Sequence, residues 1–114
     1  MATYRRLQRT DEVAELLQTS KDQPVLFFKH SLTCPISLAA FREYESFLAD
    51  RSEDGILYTL VEIQNARDVS NEIAAQTEVR HESPQAILLR QGEVAWHASH
   101  WKIKSDALAS AVDG

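Results

Sequence analysis

One side chain in this sequence is a ready nucleophile. Cys34 is the sole cysteine of the 114 residues, in the run Phe28-Lys29-His30-Ser31-Leu32-Thr33-Cys34-Pro35-Ile36-Ser37. An apolar stretch precedes it and a long amphipathic stretch follows. If Pro35 opens a helix, Cys34 is the N-cap. A thiolate there can accept from the free N–H groups of Ile36 and Ser37, and Pro35 pre-sets the first turn although it has no N–H to give. The positive end of the helix dipole acts in the same direction, so both effects favour the thiolate. A stabilised thiolate is more abundant but less nucleophilic, with a Brønsted slope of about 0.4–0.5, so the two largely offset each other in attack. The gain is in leaving: such a sulfur is easily displaced from a mixed disulfide. Cys34-Pro35-Ile36-Ser37 has the spacing of a Cys-x-x-Cys redox motif with Ser at the second position. Ser37 is expected to face the sulfur and donate to it, but it cannot resolve a disulfide. The competing reading makes Cys34 a small buried apolar residue without chemistry.

Two other segments could complete a site. Pro84, in Glu82-Ser83-Pro84-Gln85, precedes an apolar strand, where proline is tolerated at the first position or at a bend. Trp96-His97-Ala98-Ser99-His100-Trp101-Lys102 either packs over a sheet edge or lines a ligand. His97 and His100, three apart on a strand, would point to opposite faces, so no metal site is expected. Lys29, His30 and Lys102 are candidate contacts for carboxylates. His81 reads as a surface or capping residue.

These segments need elements to position them. Residues 4–8 suggest a short edge strand, and Thr10 an N-cap for a helix over 11–18 bearing Val13, Leu16 and Leu17. Residues 25–28, a continuous apolar run, fit a strand buried on both faces. A helix is expected over 35–50, with Ile36, Ala40, Tyr44, Phe47 and Leu48 on one face. A second strand follows at 56–63, then a helix over 66–77 capped by Asn65. Residues 85–90 and 93–97, joined by Gln91-Gly92, read as a hairpin. Ser105 is expected to cap a final helix over 106–112. The order (β)αβαβαββα predicts an α/β protein of thioredoxin-like fold, a mixed central sheet with helices on both faces, as one domain over 1–114.

Composition narrows the class. With 44% apolar and 25% charged residues, the chain is an ordinary globular sequence, long enough to bury a core without disulfides or structural metal. A net charge of −5 argues against nucleic acid as a partner, because that binding rests on Lys and Arg neutralising phosphates. No apolar run approaches the ~20 residues of a membrane span, and no export signal is visible at the start. A single thiol without such a signal fits the reducing cytoplasm, and any redox cycle must bring in an outside thiol.

The Cys-Pro-Ile-Ser motif within Phe28–Ser37, the stretch His81-Glu82-Ser83-Pro84-Gln85 and the run Trp96–Trp101 together resemble the YtxJ-like monothiol bacilliredoxins. The resemblance runs from about Val25 to Ala107; Leu32, where a smaller or polar residue is expected, departs from it. In thioredoxin-like folds the position of Pro84 holds a cis-proline beside the active cysteine, and Ser83 would then offer its backbone to a partner; a trans proline that merely starts the strand stays open. The resemblance also implies a role in bacteria that use bacillithiol, a cysteinyl glucosamine malate, in place of glutathione. Cys34 would be the catalytic residue. Lys29, His30, Thr33, Pro35, Ile36, Ser37, Ser83, Pro84, Trp101 and Lys102 would line the thiol site. The implied partners are bacillithiolated client proteins and a low-molecular-weight thiol, with bacillithiol as co-substrate and no metal. Two alternatives stand beside this reading. One is an iron–sulfur or thiol-binding module like some monothiol glutaredoxins, which needs a dimer and outside thiols to reach four ligands. The other is a non-catalytic interaction module.

Overall fold

The computed structural model describes residues 2–114. Its elements are β1 (Tyr4–Arg6), α1 (Thr10–Thr19), β2 (Val25–His30), α2 (Pro35–Ala49), β3 (Leu57–Glu62), α3 (Arg67–Thr77), β4 (Gln85–Arg90), β5 (Glu93–Ser99) and α4 (Ser105–Asp113), with a 3₁₀ turn at His100–Lys102. One sheet has the order β1-β3-β2-β4-β5. β1, β3 and β2 run parallel, whereas β4 is antiparallel to β2 and β5 to β4. This is the expected mixed sheet.

The continuous apolar pattern of β2 has the expected cause. All six of its residues are buried, because the strand lies inside the sheet with helices over both faces. The two-residue period then sorts neighbours to opposite sides. Leu26 and Phe28 join Tyr44, Phe47, Leu108 and Val112 under α2 and α4. Val25 and Phe27 join Val13, Leu16, Val69 and Ile73 under α1 and α3. The first face is aromatic: the Phe28 and Tyr44 rings stack 4.5 Å apart, and the Tyr44 hydroxyl donates to the Thr59 carbonyl at 2.9 Å. In the turn of the β4–β5 hairpin, Gln91 and Gly92 both have positive φ, 53° and 80°, as a two-residue turn matched to strand twist requires.

Several boundaries differ from the sequence reading. β1 stops at Arg6, β2 continues through Lys29 and His30, and β5 continues to Ser99. The N-cap positions shift by one residue, to Arg9, Ala66 and Lys104. Neither Thr10 nor Ser105 is the cap; at each start a glutamate carboxylate accepts from backbone N–H groups, from within α1 in one case and from α2 in the other. Glu12 accepts from the Gln8 and Arg9 N–H groups, and Glu43 of α2 accepts from Ser105 N–H at 2.8 Å. Asn65 donates its amide to Glu62 rather than capping α3. Ile36 is half-buried, and Ser37 takes the buried place in the first turn of α2.

Candidate active site around Cys34

Cys34 is the N-cap of α2, extended at φ −101° and ψ 122°, with Pro35 as the first helical residue. Its carbonyl accepts the first helical bond, from Leu38 N–H at 3.0 Å. Its side chain is partly exposed and makes no capping hydrogen bond. The sulfur thus stands at the positive end of a 15-residue helix, beside backbone N–H groups it does not yet engage.

Ser37 corrects one expectation. Its hydroxyl oxygen accepts from Ser31 N–H at 2.8 Å and lies 2.8 Å from His30 Nδ1. When neutral His30 carries its proton on Nε2, Nδ1 takes the one Ser37 proton, which is then not directed at sulfur. Burial pushes the His30 pKa down, which favours this neutral form against the opposing pull of Glu62 and Glu45. His30 is itself 6% exposed and stacks on Phe41 at 4.7 Å. It braces the loop from inside and is not a surface cation.

Lys29 is the second correction. It points to the opposite face of the sheet and is completely buried. Its ammonium lies 3.2 Å from His81 Nδ1, and burial pulls its pKa from 10.5 down to about 8. A lysine so enclosed cannot meet a ligand carboxylate. Of the three cations expected in that role, Lys102 is the one left exposed.

The loop before Cys34 has a brace that the sequence reading missed. The Gln64 side chain accepts from Leu32 N–H at 2.9 Å and donates to Ser31 Oγ at 2.9 Å and Thr33 Oγ1 at 3.3 Å. The signal was topological. β2 and β3 are parallel with His30 opposite Glu62, so the residues just after each strand must meet.

The Ser83–Pro84 peptide is cis. Lys29 pairs with Gln85 across β2 and β4, so one further step of antiparallel register sets Pro84 opposite His30, at the Cys34 end of the sheet. Ser83 Oγ is buried without a partner among the described residues. The Pro84 carbonyl accepts from His100 N–H at 3.1 Å, which ties the 3₁₀ turn to the same place. Glu82 adds contacts to Ser99 and, at 3.4 Å, to His100. Trp101 is 60% exposed, with the Lys104 ammonium 5.7 Å from its ring centroid. Among the described residues Leu32, at 48%, and Leu38, at 45%, are the other large exposed apolar side chains, so all three sit on the segments that gather around Cys34. Thr33 and Pro35 are exposed beside them. Among the described residues no group of three or more His, Cys, Asp and Glu could hold a metal ion, and no helix is long and apolar enough to cross a membrane.

A cysteine opening α2 beside a cis-proline strand, on a sheet of order β1-β3-β2-β4-β5, defines a thioredoxin-fold protein. The fold likeness is broad. Thioredoxin from Trypanosoma brucei brucei matches with a TM-score of 0.74 at 14% identity, over 97% of this chain and 88% of that one. Thioredoxin from Malassezia sympodialis matches with a TM-score of 0.75 at 13% identity, over 99% and 90%. At those identities the likeness speaks for fold alone. A solved structure described provisionally as an oxidoreductase with a thioredoxin fold is nearer: 34% identical, TM-score 0.82, over 96% of this chain and 93% of its own. The family model for monothiol bacilliredoxin BrxC matches residues 5–108. The chain belongs to the monothiol bacilliredoxin family, whose chemistry is thiol–disulfide exchange.

Proposed function

We propose that this protein removes bacillithiol from mixed disulfides on client proteins, in the cytoplasm of a bacterium that uses this thiol. The observation that carries the reading is a partly exposed Cys34 at a helix N-terminus, with a serine bonded elsewhere where a resolving cysteine would stand. The Cys34 thiolate attacks the bacillithiol sulfur. A bond forms between these two sulfurs, the client–bacillithiol S–S bond breaks, and the client leaves as thiolate and takes a proton from water. The client cysteine is reduced and Cys34 is oxidised to a mixed disulfide. A second low-molecular-weight thiol, as thiolate, attacks the bacillithiol sulfur, and Cys34 leaves. The bacillithiol sulfur stays at the disulfide level throughout and ends joined to the second thiol, which is oxidised in place of the client cysteine, so the S–S bond is passed on and no other reductant is needed. Attack demands an accessible sulfur, and departure demands a stabilised thiolate; the N-cap position serves both.

In this reading the client backbone pairs with Ser83 as a short added strand, and Leu32, Leu38 and Trp101 cover its apolar side chains. Lys102 in the 3₁₀ turn and Lys104 just after it, both exposed, meet the malate carboxylates in place of Lys29 and His30. The test is mass spectrometry of a bacillithiolated client incubated with wild-type and Cys34→Ser protein. Transfer of bacillithiol to Cys34 is expected. Equal release of the client by Cys34→Ser would sink the proposal. Charge reversal of Lys102 and Lys104 with unchanged bacillithiol affinity would remove the carboxylate assignment alone.

A further inference from the structure

Lys29 is completely buried, yet no carboxylate pairs with it among the described residues. An enclosed ammonium without a counter-charge is disfavoured, and an apolar residue of similar size would fit the site more stably. What the lysine reaches explains its presence. Lys29 on β2 and Gln85 on β4 stand directly opposite each other, both buried. Each extends to one of two successive residues in the segment that leads into β4: Gln85 Nε2 donates to the Arg80 carbonyl at 2.9 Å, and Lys29 Nζ donates to His81 Nδ1 at 3.2 Å. Ser70 of α3 adds a third contact, its hydroxyl 3.3 Å from the same Nδ1. Two and three residues further on come Ser83 and the cis Pro84.

We propose that Lys29 is a positioning residue: with Gln85 it grips residues 80–81 and so fixes the edge that Ser83 presents to the backbone of a bound partner. The inference rests on the exchange reading above and adds to it a part remote from the sulfur. The grip depends on protons. Nδ1 accepts from Lys29 only while His81 is neutral. Burial, with Lys29 of β2 and Arg67 of α3, keeps the His81 pKa below the ordinary imidazole value, against Glu82 of its own segment. Gln85 of β4 and Ser70 of α3 are uncharged. Once acid protonates His81, an imidazolium faces an ammonium at hydrogen-bond distance and the grip opens. Binding of extended partners should therefore decline on the acid side of the His81 titration, while chemistry at a small disulfide should not.

The experiment compares wild-type protein with Lys29→Met, which removes the charge and keeps the bulk. Two substrates are used: a mixed disulfide of a small thiol with a peptide of about ten residues, and a small symmetrical aromatic disulfide too short to reach Ser83. Lys29→Met is expected to lower the peptide rate about tenfold, as misplacement of a binding edge does, and to leave the small-disulfide rate within about twofold. It should also abolish the acid decline specific to the peptide. His81→Gln, which keeps an acceptor for Lys29, should retain more of the peptide rate than His81→Ala and lose the same decline. Peptide and small-disulfide rates that fall in equal proportion, or that both stay unchanged, would overturn the positioning role while leaving Cys34 exchange intact. Failure of wild-type protein to exchange with either substrate would overturn both readings.

Discussion

The two ends of the sheet are fastened in different ways. At the end away from Cys34, charges close the structure. Arg51 pairs with Asp54 and Asp113 at 2.7 Å each and lies over the Phe47 ring at 4.9 Å, while Tyr58 also donates to Asp54 at 2.7 Å. Arg90 reaches the last carbonyls of α4, at Ala111 and Val112. At the Cys34 end the ties are mostly neutral side chains bonded to loops: Ser37, Gln64, Gln85 and His30. There a buried ammonium has an imidazole for a partner, and large apolar side chains face solvent. The first arrangement ties α4 to the loop after α2 and to β4. The second orients loops and leaves their outer surface free for a partner.

The largest stability effect should come from the residue that contradicts the closed pattern. The Lys29 pKa falls from 10.5 to about 8, which corresponds to about 3 kcal/mol at 1.36 kcal/mol per pH unit. A depressed lysine binds its proton less tightly in the folded state, so the unfolded chain holds more protons between these values and stability rises with pH through that window. Lys29→Met should therefore be more stable than wild type by up to about 3 kcal/mol below pH 8. The advantage should disappear as pH approaches 10.5. Urea unfolding of both proteins at neutral and alkaline pH measures this, and equal stability at neutral pH would refute the unrelieved burial of the charge. A protein that becomes more stable and a poorer exchanger of peptides would set the two ends apart in one variant.

Ser37→Ala comes next and goes the other way. It leaves Ser31 N–H and His30 Nδ1 without their partner in a buried place, at a cost of about 1–3 kcal/mol. Exchange should slow severalfold for both substrates, because the loop entering Cys34 loses its inner brace. A stability loss with full exchange rates would make Ser37 structural only.

How these parts stood in the sequence differs by their chemistry. The fold was legible because it rests on periodicity and turn chemistry: the unbroken apolar run at 25–28 declared a strand covered on both faces, and Gln91-Gly92 declared the turn of the β4–β5 hairpin. Cys34 and Pro84 were legible because proline and cysteine carry strong local meanings. The direction of Lys29 was not. The strand extends two residues past its apolar run, and that extension decides which face each side chain takes, so Lys29 and His30 part to opposite sides. Nor was the Ser37 hydroxyl legible. Its spacing from Cys34 matches a redox motif, but a hydroxyl bonds to the nearest unmet groups, here a backbone N–H and an imidazole.

At the closed end, Arg51→Ala should cost about 1 kcal/mol, since one guanidinium holds two carboxylates and covers a ring but stands partly in water. Thermal unfolding should register it, with both exchange rates unchanged. A loss of exchange there would mean that the two ends are coupled through the sheet.

The smallest stability effect and the sharpest contrast belong to Gln64→Ala. The Gln64 side chain is exposed, so water can replace each of its bonds to Ser31, Leu32 and Thr33, and stability should change by no more than about 0.5 kcal/mol. What water cannot replace is one rigid amide holding three successive residues. Leu32 N–H should exchange faster with deuterium, and the sulfur should spend less time in its reactive position. Because this brace acts on the loop of Cys34 itself, peptide and small-disulfide rates should fall together, by about two- to fivefold. Lys29→Met, acting on the opposite edge, should slow the peptide alone. If Gln64→Ala also discriminated between the two substrates, the braces on the two sides of Cys34 would form a single network, and the division of labour between sulfur loop and binding edge would be lost.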